Sequence, residues 1–528
     1  MPRRWKLILA SLCALHFAVG RAPAQQSVLK IVPLNDLPSL DPLADPNQAV
    51  RMNALAVYDT LFAWDSKLEP RPMMVDTWTV SDDRLTYTFT LRQGLHFHDG
   101  QPVTSQDVVA SLRRWMAHDT FGSKLAHALS GMDTAGERTI VLRLKQPFAY
   151  VEMALGSAAG MIPVIMRAKD ANTDPATPLQ DAVGSGPFRF VASGWVPGSK
   201  IVYERNPDYS PRPEPTDGLA GGKVVKIDRM EWDILTDPAT AAAALSKGEV
   251  DYLDAVPPDI VPFLSRTKDV TVGLISPLGS FAGLRPNALF PPFNNPKARQ
   301  ALALMIDQSQ FMRAAIGDER WWRTCFAYYL CGAPFGTEVG SEPYRTPDLN
   351  RARALMLESG YKGEKLVLIS TTDIPIVNAL TQVAASELKS IGVETEISYS
   401  DVPALMTRER DRRAPGPGSG GWNLIAVFFA GSTNFQPLTN IATDLTCETR
   451  TWAAGPCDET TERLKDLLAG AVGGKAQRLA LEVLHRRLWQ VIPLILLGQF
   501  RQPSAWRSNL VGLVKPSPVP IFWNVEKP

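Results

Sequence analysis

Apolar and polar residues alternate at 87–91, where Tyr87, Phe89 and Leu91 interleave with Thr88 and Thr90. A period of two predicts a half-buried strand. Asp99-Gly100 then predicts a turn, and Thr104 or Ser105 caps a helix running through Val108, Leu112 and Trp115. Ile140, Leu142 and Leu144 share one face of a strand expected at 138–144, and further strands are expected at 28–32, 200–205, 226–234 and 249–253. A helix is expected at 53–62, and an alanine-rich one at 238–247 that stops at Gly248. The second half predicts helices at 295–306, 350–359, 377–390, 459–468 and 477–491. Strands are expected between them at 366–370, 393–398 and 423–429. Strand–helix–strand spacing of this kind implies an α/β lobe. Segments 493–500 and 519–525 read as strands with no local partner.

The 528 residues are too many for one core, so two or three domains are expected. Arg3, Arg4 and Lys6 precede an apolar run at 7–19, and Ala22-Pro23-Ala24 fits a cleavage site, so residues 1–24 read as a secretory signal peptide. Leu12 before Cys13 is wrong for lipid attachment, so the chain is not expected to be a lipoprotein. No later segment reaches the roughly 18 apolar residues of a membrane span. A net charge of +1 gives no footprint for nucleic acid. Arg408, Arg410, Arg412 and Arg413 are interleaved with Glu409 and Asp411 and read as a solvated loop. Outside the leader, Cys325, Cys331, Cys447 and Cys457 make an even set. In an exported chain, their short spacings favour disulfides 325–331 and 447–457.

The stretch YTFTLRQGLHFHDGQPVTSQD at 87–107 resembles the signature of the extracytoplasmic solute-binding proteins of ABC importers, family 5, the peptide/opine/nickel group. GSGPFRF at 184–190, KGEVDY at 247–252, NPKARQAL at 295–302 followed by Ile306-Asp307, and LKSIGV at 388–393 are similar to further elements of that family, in its order. The resemblance implies a two-lobed α/β fold, the periplasmic-binding-protein type II fold (cluster C), with an extra subdomain in lobe one. Lobe one would comprise 27–57, 184–276 and 489–528, with the subdomain at 58–183. Lobe two would comprise 277–488. The crossings would fall near 276–277 and 489–493, returning the C-terminal strands to lobe one.

The resemblance further implies a periplasmic monomer that binds a peptide or other small-molecule ligand in the interlobe cleft. Its partners would be the transmembrane permease subunits and cytoplasmic ATPases of an ABC importer. By family position, Ser39 and Asp41 of lobe one face the cleft. So do Trp321, Trp322, Thr372, Asp373, Phe428, Phe429, Ser432 and Asn434 of lobe two, with Trp422 and Trp523 as secondary candidates. Dipeptide binders of the family anchor the ammonium with an Asp where this chain has GSTNFQP at 431–437, with Ser432 in its place. They hold the carboxylate with an Arg where this chain has Val377-Asn378-Ala379. Both anchors are missing, so a longer peptide, an opine-like compound or a neutral polar solute is open. His96 and His98 share a strand face, as a metal pair would, but they lie inside the family signature and are expected to be structural. No GxSxG, HExxH, P-loop or GxGxxG after a strand is present. A carrier without cofactor or metal is therefore expected, rather than an enzyme.

Overall fold

The computed structural model describes residues 26–174, 179, 181–276, 278–416, 418–447 and 454–528; the leader and Cys13 lie outside them. Two mixed sheets form the bodies of two lobes. The first has seven strands, in the order Val270–Gly273, Ser504–Arg507, Tyr252–Leu253, Val28–Val32, Arg229–Asp233, Lys200–Arg205, Phe188–Phe190. Its central strand, Val28–Val32, runs parallel to both neighbours. The second has six, in the order Trp322–Arg323, Ile495–Phe500, Ser280–Pro286, Leu424–Ala430, Leu366–Ser370, Thr395–Tyr399. Leu366–Ser370 is parallel to the strands on either side. Among the described residues, no helix is long and apolar enough to cross a membrane.

A four-stranded antiparallel sheet, Val75–Val80, Thr86–Leu91, Thr139–Leu144 and Leu129–Thr134, forms the extra subdomain and contains the signature strand. Thr86–Leu91 buries every second residue, as its alternation predicts. Asp107 accepts from the backbone N–H and the hydroxyl of Thr104 (2.8 and 2.7 Å), which fixes the start of the helix Ser105–His118. His98 is structural: its ring bonds the Gly186 carbonyl at 3.1 Å and the Gly184 N–H at 3.3 Å. Burial pushes its pKa down to about 4. His96 is exposed and turns to the Gly94 carbonyl.

The chain passes between the sheets twice, between Gly273 and Ser280 and between Phe500 and Ser504. The second passage corrects the expected return at 489–493. Ile495–Phe500 stays in the second sheet, antiparallel to Ser280–Pro286, and only Ser504–Arg507 rejoins the first. The expected strand at 519–525 is irregular chain, because Pro516, Pro518 and Pro520 remove the donors a ladder needs. It is still core. Phe522 meets Tyr252 edge-on at 5.0 Å, and Lys223 Nζ lies 4.8 Å over the Trp523 ring. Cys325–Cys331 and Cys447–Cys457 are bonded. Gln499 links the first bridge to the crossing: its Oε1 accepts from Cys331 N (3.2 Å) and its Nε2 donates to Leu278 O (2.9 Å).

The first helix spans Gln48–Val57 rather than 53–62. Asn47 accepts from Val50 N and starts it early, and extended backbone at Tyr58 ends it. Ala49 through Val57 are all buried. The helix end abuts the glycine segment so closely that a Cβ on Gly184 would fall 1.9 Å from the Val57 carbonyl oxygen.

Gly184→Ala should therefore lower stability by about 1–3 kcal/mol or more, read as a lower urea midpoint. A second expectation concerns His485, which is fully buried against Tyr328 and Tyr329 with both ring nitrogens unpartnered. Burial pushes its pKa from 6.5 down to about 3, so between those values the unfolded chain binds a proton that the folded one refuses. This contribution is complete above pH 6.5 and falls by about 1.4 kcal/mol per pH unit below it. In denaturant titrations, His485→Met should gain on the wild type by that amount per unit as pH drops from 6 to 4.

Candidate functional site

Parallel strands put their carboxyl ends, and the loops that follow, on one edge of a sheet, where open α/β sheets gather ligands. In lobe two that edge carries residues 371–373 after Leu366–Ser370, residues 400–401 after Thr395–Tyr399, and the short helix Gly431–Asn434 after Leu424–Ala430. In lobe one it carries the loop 33–47 after Val28–Val32, and Asp254 after Tyr252–Leu253. The two edges meet. Arg51 Nη1 donates to Ser432 Oγ across the cleft at 3.2 Å, and to the carbonyl of Ala158 in the subdomain, also at 3.2 Å. Nearby, Trp64 packs edge-on against Phe435 of lobe two at 5.1 Å, and Ala149 N donates to Ala469 O at 2.7 Å. The lobes are in contact.

The expected cleft residues separate by what they touch. Phe428 is 39% exposed at the strand end, its ring edge-on to Phe500 at 5.9 Å, so it offers an open aromatic face. Phe429 points to the other side of the strand and packs on Phe281 at 5.3 Å. Ser432 is buried under Arg51. Asn434 holds the turn, donating to Ala430 O (3.1 Å) and accepting from Ile441 N (3.2 Å). Thr372 and Asp373 are exposed, and Asp373 accepts from Val402 N at 3.2 Å.

Trp321 lines a cavity of about 20 Å³, room for one water, between Val256 and Val261 of lobe one and Ile316 and Ile376 of lobe two. Trp322 sits on the sheet's edge strand, its indole N–H on the Gly317 carbonyl at 3.2 Å. Trp422 does not share the cleft edge. It precedes the amino end of Leu424–Ala430, fully buried, with Arg285 5.5 Å from its ring. Trp523 is likewise core. Asp41 is not open to the cleft either. Its carboxylate pairs with Arg114 at 2.6 Å, both side chains buried, and accepts from Leu43 N at 2.9 Å. Ser39 Oγ accepts from Asp41 N at 3.1 Å and shapes the same loop.

Sequence reasoning missed Arg51 and Asp254. The available signal was a lone charge in the largely apolar AVRMNALAV at 49–57, where Asn53 is the one other polar residue. Burial pushes Arg51 down to about 10, partly offset by the field of Asp254. Burial also raises Asp254 to about 6, against the bonds it accepts from Leu34 N (3.2 Å) and Gln48 Nε2 (2.6 Å). Two larger grooves open where the subdomain faces lobe two. One of about 480 Å³ is lined by His118, Lys124, Asp444 and Glu462. One of about 590 Å³ is lined by Tyr150, Met153, Phe335 and Leu481.

Residues 69–430 match the profile of the bacterial extracellular solute-binding proteins, family 5 Middle. Over 507 residues the chain is 36% identical to y4tO, a probable peptide ABC transporter periplasmic-binding protein of Sinorhizobium fredii (strain NBRC 101917 / NGR234); the match covers 94% of this chain and 92% of that one. The PBP AgaA from A. tumefaciens R10, solved in complex with agropinic acid, is similar with a TM-score of 0.76 at 22% identity, over 95% of this chain and 99% of that one. DppA from Helicobacter pylori, solved with the peptide STSA, is similar with a TM-score of 0.75 at 20% identity, over 95% and 98%. At these identities the structures speak for the fold alone.

Asp41→Asn should act on stability. It leaves Arg114 buried without its counter-charge and should cost about 3–5 kcal/mol in chemical unfolding.

Proposed function

The chain belongs to the bacterial extracellular solute-binding proteins of family 5, and on that premise we propose that it captures a peptide or peptide-like solute between its lobes and hands it to an ABC permease powered by cytoplasmic ATPases. The observation that carries this reading is the meeting of two carboxyl-end edges at Arg51 and Ser432, beside the exposed ring of Phe428. A solute seated there touches both lobes, so its binding favours the closed arrangement over the open one. Phe428 supplies a stacking face, and Ser432 with the backbone of 371–373 supplies polar contacts. The bonded cysteines fit an oxidising compartment. That supports export, which in this reading is to the periplasm after removal of residues 1–24; the reading also takes the carrier as a monomer without a lipid anchor. The carrier performs no chemistry on its cargo. In this reading lobe one takes in 27–276 with the subdomain at 58–183, and lobe two extends to the crossing after Phe500. The second reading, a non-peptide acid such as an opine on the same scaffold, is favoured by the buried cation of Arg51.

The test is the solute that travels with the protein through purification. Denaturation should release it intact, and mass spectrometry should give a peptide-type mass. Added back at about 100 times its Kd, it should raise the unfolding free energy by about 2.7 kcal/mol. Release of a cleaved product would refute the carrier reading.

A further inference from the structure

The other buried Lys and Arg side chains among the described residues are neutralised or bonded by several carbonyls. Arg114 pairs with Asp41 (2.6 Å), Lys223 with Asp59 (2.5 Å), Lys465 with Glu462 (2.9 Å), and Arg285 with Glu409. Arg299 donates to the carbonyls of Phe293, Val491 and Ile492, closing the end of the helix Gly474–Val491. Arg51 differs. It is 4% exposed, and its two bonds are long and go to neutral oxygens rather than to a carboxylate or a cluster of carbonyls. Asp254 acts on it only through space, since its Oδ2 accepts from Leu34 and Gln48. A buried cation in this state costs free energy that a second anion would recover.

The position of that cation gives the cost a use. Arg51 stands on the lobe-one helix, Ala158 belongs to the subdomain, and Ser432 to lobe two, so one guanidinium faces all three bodies. Guanidinium is a planar fork that matches a carboxylate with two parallel bonds. Ser432 Oγ accepts from Arg51, and its own hydrogen is free to donate to the same anion. An ammonium placed there would meet like charge in a water-poor site.

We propose that the solute carries a carboxylate that seats on Arg51, with the Ser432 hydroxyl donating to it from the opposite lobe. This deepens the carrier reading and rests on it. Arg51 is then the specificity-determining residue, selecting acids over their neutral esters. The affinity step comes from a charge-assisted pair that forms only when both lobes enclose the solute.

The test uses the full chain, washed free of solute in urea below its unfolding transition. It is offered a tryptic casein digest, or the same digest methyl-esterified in acidic methanol, and retained peptides are measured by mass spectrometry. Wild type should retain the untreated digest about tenfold or more over the esterified one. Arg51→Gln should lose that preference, and Arg51→Lys should keep part of it. Solute-free Arg51→Met should melt no lower than wild type, whereas an Arg51 that only braces the fold predicts a fall. Ser432→Asp, which places a carboxylate against the guanidinium, should raise the melting point and abolish the acid preference. Equal retention of both digests by wild type, or an acid preference that survives Arg51→Gln, overturns the proposal. Retention of neither digest refutes the peptide cargo alone. Thermal shifts with sugar acids and N-carboxyalkyl amino acids against their methyl esters then decide: shifts with the acids only uphold the Arg51 seat, and shifts with both or neither overturn it.

Discussion

A helix with no solvent-facing side has to be enclosed, and the segments that enclose Gln48–Val57 come from distant parts of the chain. Met52 and Ala56 face Phe188, Met230 and Trp232 of the first sheet and Phe522 and Trp523 of the C-terminal tail. Asn53 accepts from the Tyr203 hydroxyl at 3.0 Å. Gly186 donates to the Val57 carbonyl at 2.8 Å, and His98 grips the same glycine segment from the signature loop. Apolar packing, close backbone approach and a buried polar pair together fix the helix's position, and a buried polar pair is expensive to break. The guanidinium of Arg51 is therefore delivered to the cleft with little freedom to move. The orientation that a binding site needs is set by the core.

The same constraint accounts for the signature stretch. Its two histidines share a strand face as a metal pair would, yet were expected to be structural because they lie inside the signature. The structure uses the loop as a clamp: one ring is buried between the backbone groups of Gly184 and Gly186 while the other is exposed. Only Gly fits opposite Val57, so the glycine motif and the signature belong to one interlock.

Legibility followed exposure. Strands with one wet face, such as Thr86–Leu91 and Thr139–Leu144, were readable from alternation, and capped helices such as Pro238–Lys247 and Pro296–Met305 from their end residues. The hinge strands were less so. Ser280–Pro286 is buried on both faces, so its side chains follow no period, and Gly283 and Pro286 read as breakers; Ile495–Phe500 was read as a strand, but a strand buried on both faces carries no mark of which sheet it joins. The return of the chain was misplaced for the same reason. In the site, the lobe-two loops at 371–373 and 431–434 were named by family position, and both follow the carboxyl ends of their strands. Asp41 and Trp422 were named as cleft residues because sequence position does not reveal a partner such as Arg114 or Arg285. Arg51 was missed because its one local signal, a cation within a largely apolar helix, does not say which partner or cleft the side chain reaches.

Why the fold retains an unbalanced cation follows from what a carrier has to do. A cleft whose polar groups were all satisfied when empty would close without cargo, and a solute could shift the balance only by its apolar area. Arg51 is tolerable when empty because Asp254 attracts it through space and Ala158 and Ser432 each give it a long bond. None of these removes its demand for an anion. Closure without solute therefore keeps a cost that closure around a carboxylate does not, and that difference biases the two-state balance toward closing on cargo. The buried ion pairs elsewhere, Asp41–Arg114 and Asp59–Lys223, have no such dependence, since both partners are supplied by the chain. Where the chain supplies one half of a buried pair and leaves the other to the solute, binding and closure become the same event.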